Sequence, residues 1–373
     1  MYLLITGANG FLGRHVVQAA VGRGHRVRAM VRPTADVTAR WGGDNAANLK
    51  GVEIVRHDLR DRRELVERVR GVDAVLHLAA AKTGDYYTQM AGTVVATENL
   101  LASMHEARVD RLVLTSSFAV YDYLAVASAG TLDEDSLLER EPERRDAYCR
   151  SKLWQERLVR EAMTRQDVKA TVLRPGVVYA EPDHLWTDRL GVRVGRTWFA
   201  IGAHARLPLT HVCHCAEAIV RAAERPAAIG QTLNLVDDDP PTQRRYRRAL
   251  RKAMRPRIVP INWTLIRLGV WLLDAIDRRV LAGRAQLPAV LRRRALHARC
   301  RPLHYPNQRA KEVLGWSAPA RWRNAIKTAA TDRAGRAAAA LLDDHAFTQA
   351  GEADSHLPKS HWSSTDTSCV SHT

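Results

Sequence analysis

Three glycines near the start decide most of what this chain can become. The segment Thr6-Gly7-Ala8-Asn9-Gly10-Phe11-Leu12-Gly13 follows a short apolar run, Tyr2–Ile5, and opens a stretch of helical period, Phe11–Val21. On this G-x-x-G-x-x-G spacing Gly7 permits a tight turn. Gly10 lets backbone approach a pyrophosphate, and Gly13 lets strand and helix pack closely. The helix N-terminus adds N–H donors and partial positive charge. The combination points to a dinucleotide at the first strand–helix turn, with Gly7, Asn9, Gly10, Phe11, Leu12 and Gly13 around it.

The pattern repeats along the first half. Apolar runs recur at Val27–Val31, Val52–Val55, Ala74–Leu78, Leu112–Leu114 and Ala170–Leu173. Helical periods over Asp61–Val69, Val94–Ala107 and Ala147–Met163 lie between most of them. Strands alternating with helices predict a parallel sheet covered on both faces, and nearly continuous apolar strands fit that burial. The expected fold is α/β: a Rossmann-type, doubly wound parallel sheet over 1–178, with a return strand near 232–236. A smaller C-terminal α/β substrate domain is expected over 179–332. There 180–210 reads as loop and short elements, and helices are predicted over Ala216–Ala223, 243–255, 263–281 and Ala310–Leu314. Residues 333–373 are polar without periodicity and read as a disordered tail.

Composition excludes other classes. With 46% hydrophobic and 26% charged residues the chain is neither largely disordered nor fibrous. Five scattered cysteines make no disulfide scaffold. No run of 18 apolar residues and no signal-peptide pattern is visible, so a cytoplasmic protein is expected. The net charge of +17 is concentrated: residues 241–301 hold 17 Lys/Arg against two acids, Asp274 and Asp277. Codon bias, an anionic membrane, nucleic acid or an anionic substrate would each account for it. No basic stripe with interleaved aromatics accompanies the charge, so nucleic acid is not an expected partner. Residues 261–281 are apolar, contain Trp263 and Trp271, and are flanked by Arg278, Arg279, Arg284 and Arg292–Arg294. Peripheral membrane contact through 261–300, a lid over a lipophilic substrate, an ordinary packed helix and a homodimer contact all remain open.

The second strand ends Val27-Arg28-Ala29-Met30-Val31-Arg32-Pro33. An acid at this point would suit the ribose of NAD; Arg32, with help from Arg14, suits the 2′-phosphate of NADP. Asp58 could bond an adenine amino group, with Leu59 beside it, or cap a helix starting at Asp61.

Four motifs in order resemble the extended short-chain dehydrogenase/reductase family, the NAD-dependent epimerase/dehydratase group. They are Thr6-Gly7 to Gly13, His77-Leu78-Ala79-Ala80, Thr115-Ser116-Ser117-Phe118-Ala119-Val120-Tyr121, and Tyr148-Cys149-Arg150-Ser151-Lys152. Leu173-Arg174-Pro175-Gly176 and Leu314-Gly315-Trp316 match two further family stretches. The resemblance implies Ser117, Tyr148 and Lys152 as catalytic residues, with Ser116 as the fallback serine. Tyr148 and Lys152, four apart, share a helix face. A nearby ammonium and the charged nicotinamide would lower the phenol pKa and let Tyr148 exchange a proton with a hydroxyl or carbonyl. Lys152 would also bond the nicotinamide ribose. The resemblance further implies that Ala79, Ala80, Ala81 and Ser116 line the cofactor cleft, that Pro175 and Val177 flank the nicotinamide, and that His77 is structural.

Phe118 and Ala119 stand where dehydratases and decarboxylases of the family carry acids. What remains is alcohol–ketone redox, nearer the 3β-hydroxysteroid dehydrogenase/dihydroflavonol reductase-like branch, on a small-molecule substrate with NADP preferred. Nucleotide-sugar epimerisation with tightly held NAD is the alternative, for which Arg189, Arg193, Arg196 and Arg206 are available cations. A non-catalytic dinucleotide-binding or membrane-associated protein is a third reading. His211-Val212-Cys213-His214-Cys215 replaces a usual acidic pair; packing under the cleft is expected there rather than a metal. Ala180 and Asp122 stand where glycine is common.

Overall fold

The computed structural model describes residues 1–37, 51–180, 184–194, 197–254, 257–279 and 291–331. Its strands in chain order are β1 Tyr2–Thr6, β2 Arg26–Val31, β3 Val52–Arg56, β4 Ala74–His77, β5 Arg111–Thr115, β6 Lys169–Pro175, β7 Val177–Tyr179, β8 Val192–Val194, β9 Thr197–Ile201, β10 Leu209–His211, β11 Thr232–Leu235 and β12 Arg257–Ile261. Seven form one parallel sheet in the order β11-β6-β5-β4-β1-β2-β3. The winding reverses between β1 and β4, and the crevice at such a reversal is where doubly wound sheets bind ligands.

The helices are α1 Phe11–Gly22, α2 Leu65–Val69, α3 Tyr86–Met90, α4 Ala96–Glu106, α5 Ala147–Thr164, α6 Val212–Glu224, α7 Gln243–Met254, α8 Trp263–Arg279, α9 Arg293–Cys300 and α10 Gln308–Leu314. Alternation along each strand explains the two-sided cover. Leu3, Ile5, Leu76 and Val113 point into a core with Val16 and Val17 of α1 and Ile219 and Ala222 of α6. Leu4, Val75, Leu112 and Leu114 point the other way, onto Leu65 of α2, Leu100 and Met104 of α4 and Val159 of α5.

Some expected elements differ. The helix over Asp61–Val69 shrinks to α2, because Asp58 and Asp61 each accept a backbone N–H two residues on, from Arg60 and Arg63, and Glu64 is left-handed at φ 58°. Such local side-chain bonds compete with the helix. The helix over Val94–Ala107 starts earlier, as α3, and reaches α4 through a π-helical turn, Ala91–Val95. The 180–210 stretch contains β8 and β9, which build a three-stranded sheet with β12. β7 and β10 make a separate parallel pair. Arg196, Arg284 and the 333–373 tail lie outside the described residues.

The region beyond β6 is stitched to the sheet domain by buried charge. Arg145, before α5, bonds Glu139 at 3.0 Å, and Arg294 of α9 bonds Glu139 at 2.6 Å and Asp122 at 3.2 Å. Asp122 therefore serves as an acceptor for the C-terminal part.

Candidate active site

The glycine turn is built for close approach. A Cβ on Gly7, at φ 69°, would sit 2.9 Å from the backbone nitrogen of Ala79, across the β1–β4 crevice. One on Gly13 would sit 2.2 Å from the Gly7 carbonyl. Gly10 begins α1 with no side-chain cap, so the first-turn N–H groups of Phe11, Leu12 and Gly13 have no partner inside the helix. This cradle fits a pyrophosphate. Asn9 is used differently: its amide donates to the Asp36 carbonyl at 3.2 Å and ties the turn to the segment after β2. Phe11 stacks on His184 with ring centroids 3.7 Å apart.

Arg32 is exposed just past β2 and lies within electrostatic reach of Asp58 past β3. The Asp58 carboxylate is gripped by Arg60 at 2.6 Å, and that bond holds it below the usual carboxylate range. Asp58 caps no helix; it turns the backbone. Leu59 is buried, and its carbonyl accepts from Asn99 at 2.9 Å.

A buried chain of hydrogen bonds runs from this cradle to the catalytic candidates. Ala79 N–H donates to Thr6 Oγ1 at 3.3 Å, and Thr6 Oγ1 lies 2.7 Å from His77 Nδ1. His77 Nε2 lies 2.9 Å from Thr97 Oγ1, whose own proton goes to the Thr93 carbonyl. That places the imidazole proton on Nε2. Burial pushes the His77 pKa down to about 3, so it is a neutral brace beneath the strand end. Gln155 donates to the same Thr97 oxygen at 2.8 Å and accepts from Lys152 Nζ at 2.7 Å. Lys152 also donates to the Thr115 carbonyl at 2.8 Å. The Ala81 N–H is taken by Thr93 Oγ1 at 3.0 Å, and Ala80 lies half-buried between these two anchored neighbours.

Ser117 follows β5 and Tyr148 lies in the first turn of α5, capped by Asp146. Their hydroxyls lie close enough to influence each other, and Ser117 Oγ accepts from Ala119 N–H at 3.1 Å. Burial, not Lys152, is the largest influence on the Tyr148 phenol in this arrangement. It pushes Tyr148 up to about 12, and the opposing influence is Ser117. Lys152 is turned to Thr115 and Gln155; burial, then repulsion from Lys82, brings it down to about 7. Ser116 is buried beside the Glu156 carboxylate. Pro175 ends β6, buried, and half-buried Val177 donates its N–H to the Pro208 carbonyl at 2.6 Å.

Two features escaped the sequence reading. Lys82, directly after the alanine run, is exposed yet close enough to Lys152 and Cys215 to interact with both; a lone lysine at a strand end was the available signal. Glu156 and Arg174 form a buried pair at 2.6 Å, with Arg174 4.7 Å from the Tyr121 ring. No spacing rule links residues on different elements. The His211–Cys215 run spans the start of α6: His211 accepts from Cys213 N–H, and His214 Nδ1 meets Asp237 at 2.9 Å.

Residues 3–235 match the NAD dependent epimerase/dehydratase family. The chain belongs to that family. This is the extended short-chain dehydrogenase/reductase type of family. It is 39% identical over 121 residues to sterol demethylase protein B of Methylococcus capsulatus, a stretch covering 32% of this chain and 35% of that protein. It spans about a third of that relative's length. It is 27% identical over 327 residues to the 4-hydroxy-2-methyl-3-oxo-4-farnesyl-3,4-dihydroquinoline-1-oxide ketoreductase of Stigmatella aurantiaca, covering 85% and 92% of the two chains. Among solved structures, a short-chain dehydrogenase/reductase superfamily protein from Agrobacterium tumefaciens with bound NAD superposes at a TM-score of 0.67, with 21% identity, over 92% of this chain and 100% of that one. The shared fold is the Rossmann-type sheet. Among the described residues no helix is long and apolar enough to cross a membrane.

Proposed function

We propose that this member of the family reduces a ketone to a secondary alcohol reversibly, with NADP(H) preferred over NAD(H). One observation carries the reading. Tyr148, in the first turn of α5, is brought within interaction range of Ser117 at the end of β5, with Lys152 one turn along the same helix, and burial keeps the phenol protonated. A protonated phenol is set to donate to a carbonyl oxygen. When bound, the nicotinamide dinucleotide supplies or accepts the hydride. Ser117 would orient the carbonyl oxygen and stabilise its developing charge, and Tyr148 would deliver the proton. Lys152, one helical turn along the same face, is the cation available to offset the phenolate left behind. The cradle of Gly7, Gly10 and Gly13 would hold the pyrophosphate, and Arg32 the 2′-phosphate. The similarity to a ketoreductase over nearly its full length supports the same reading.

A nucleotide-sugar epimerase would need cations for a second pyrophosphate. Arg189 is instead buried and bonded to the Tyr123 hydroxyl at 2.8 Å, and Arg206 donates to the Pro240 carbonyl. Calorimetric titration with NADP(H) and NAD(H), after an absorbance scan for copurified cofactor, tests the proposal. Expected is exchangeable NADPH binding at least about tenfold tighter than NADH, a bias that Arg32→Asp reverses by removing a charge-assisted phosphate contact. Retained, non-exchanging NAD would overturn it in favour of the epimerase.

A further inference from the structure

Helix α8 is amphipathic in an unusual sense. Its inner face, Trp263, Ile266 and Val270, packs on Ile201 of β9 and on Leu296 and Cys300 of α9. Its two acids, Asp274 and Asp277, are turned inward, and both meet Arg144, at 3.0 and 3.6 Å. The outer face carries Leu265, Leu268, Trp271 and Leu272 at 70%, 60%, 50% and 53% exposure, with Ile276 beside them. At 3.6 residues per turn Leu265, Leu268, Leu272 and Ile276 form one stripe. Among the residues whose side chains are described, Arg279 continues this stripe and is exposed, and Arg267, also exposed, lies on the flank beside Asp274.

Isolated exposed leucines need no explanation, but a stripe along a helix about 25 Å long does. Charge complementarity selects the occupant. The surrounding segment, 241–301, carries 17 Lys/Arg and two acids. A second copy docking isologously would bring that positive field against itself. An anionic lipid surface offers the opposite charge and an apolar layer for the leucines, and an indole at the rim suits the headgroup zone. We propose that the outer face of α8 docks this protein on an anionic phospholipid bilayer, with the helix lying in the plane of the interface and not crossing it.

Vesicle co-sedimentation of the full chain tests this. Phosphatidylcholine vesicles containing about a third phosphatidylglycerol are compared with pure phosphatidylcholine, at low and high salt. Expected is binding to the anionic vesicles that salt weakens, and little binding to the neutral ones. Leu268→Ser/Leu272→Ser should lower the partition coefficient on the order of tenfold, because the leucines are the inserted groups. Arg279→Gln should lower it about fivefold. These side chains are exposed, so circular dichroism should stay unchanged. No binding to anionic vesicles overturns the proposal. So does binding that the leucine variant leaves intact, since charge elsewhere would then carry it. Light scattering that shows a dimer in the parent and a monomer in the leucine variant, without vesicle binding, assigns the face to a second copy instead.

Discussion

Leu3, Leu4, Ile5, Leu76, Leu112 and Leu114 of the main sheet are buried among aliphatic side chains on both faces. The C-terminal part has apolar clusters of its own and adds polar bonds at the junction: buried Arg189 against Tyr123, buried His214 against Asp237, and half-buried Arg294 across Asp122 and Glu139. The sheet excludes water by apolar area, and its register follows from alternation. The C-terminal part is joined both by apolar packing, as in the cluster of Phe118 and Val120 with Val236, Leu303 and Tyr305, and by directional bonds that must be satisfied in low dielectric. The contrast teaches where each part tolerates change. A methyl group lost from the sheet costs a cavity, whereas a charge lost from the seam leaves its partner buried and alone.

The site lies where the two parts meet, so the sharpest change alters chemistry and leaves both intact. Tyr148→Phe should lower turnover by about 10²–10⁴-fold while circular dichroism and thermal midpoint hold. Unchanged turnover would mean that the wrong residues are assigned, and would favour a non-catalytic binding role. Next comes the seam: Glu139→Ala strands Arg145 and part of Arg294, and urea unfolding should show a loss of about 3–5 kcal/mol. A loss no larger than that of a surface substitution would erase the contrast between the parts.

Protonation of His77 gives a smaller effect confined to the sheet. Its folded pKa of about 3 lies below the unfolded value, so the unfolded chain binds more protons as pH falls. This stability is fully present above about pH 6.5 and is lost progressively down to about pH 3. At pH 5 the loss should be about 2 kcal/mol relative to pH 8. Urea midpoints compared between the parent and His77→Asn isolate it: the variant should lose this part of the pH slope. The smallest effect belongs to the rim pair between Arg23, past α1, and Glu224 of α6, at 2.6 Å. Glu224→Gln should cost about 0.2–1 kcal/mol, and less in high salt.

Much of the sheet domain was legible because its determinants are local. Apolar runs mark β1 to β6 to within a residue or two, and the glycine spacing marks the cradle before any contact is known. Ser117, Tyr148 and Lys152 were nameable from motif order, and the structure brings Ser117 and Tyr148 together. The Asp58–Arg63 stretch misled because two aspartates turn the backbone locally, which periodicity does not register. β8, β9 and β12 were not named because they are held by pairing with one another, outside the strand–helix alternation that frames β1 to β6.

What the sequence determined by itself, then, is whatever chain neighbours can encode: a strand that turns on glycine into an open helix end, a tyrosine and a lysine one turn apart, and a concentration of positive charge in 241–301. Tertiary structure decided the rest, because burial and partnership are set by residues far apart in the chain. It turned Lys152 toward Thr115 and Gln155, held Tyr148 protonated near Ser117, committed Arg189 to Tyr123, and drew Asp274 and Asp277 inward, leaving an exposed stripe of Leu265, Leu268, Leu272 and Ile276 on the outer face of α8. A pKa and an exposed face are properties of an environment, and that environment exists only once the chain has folded.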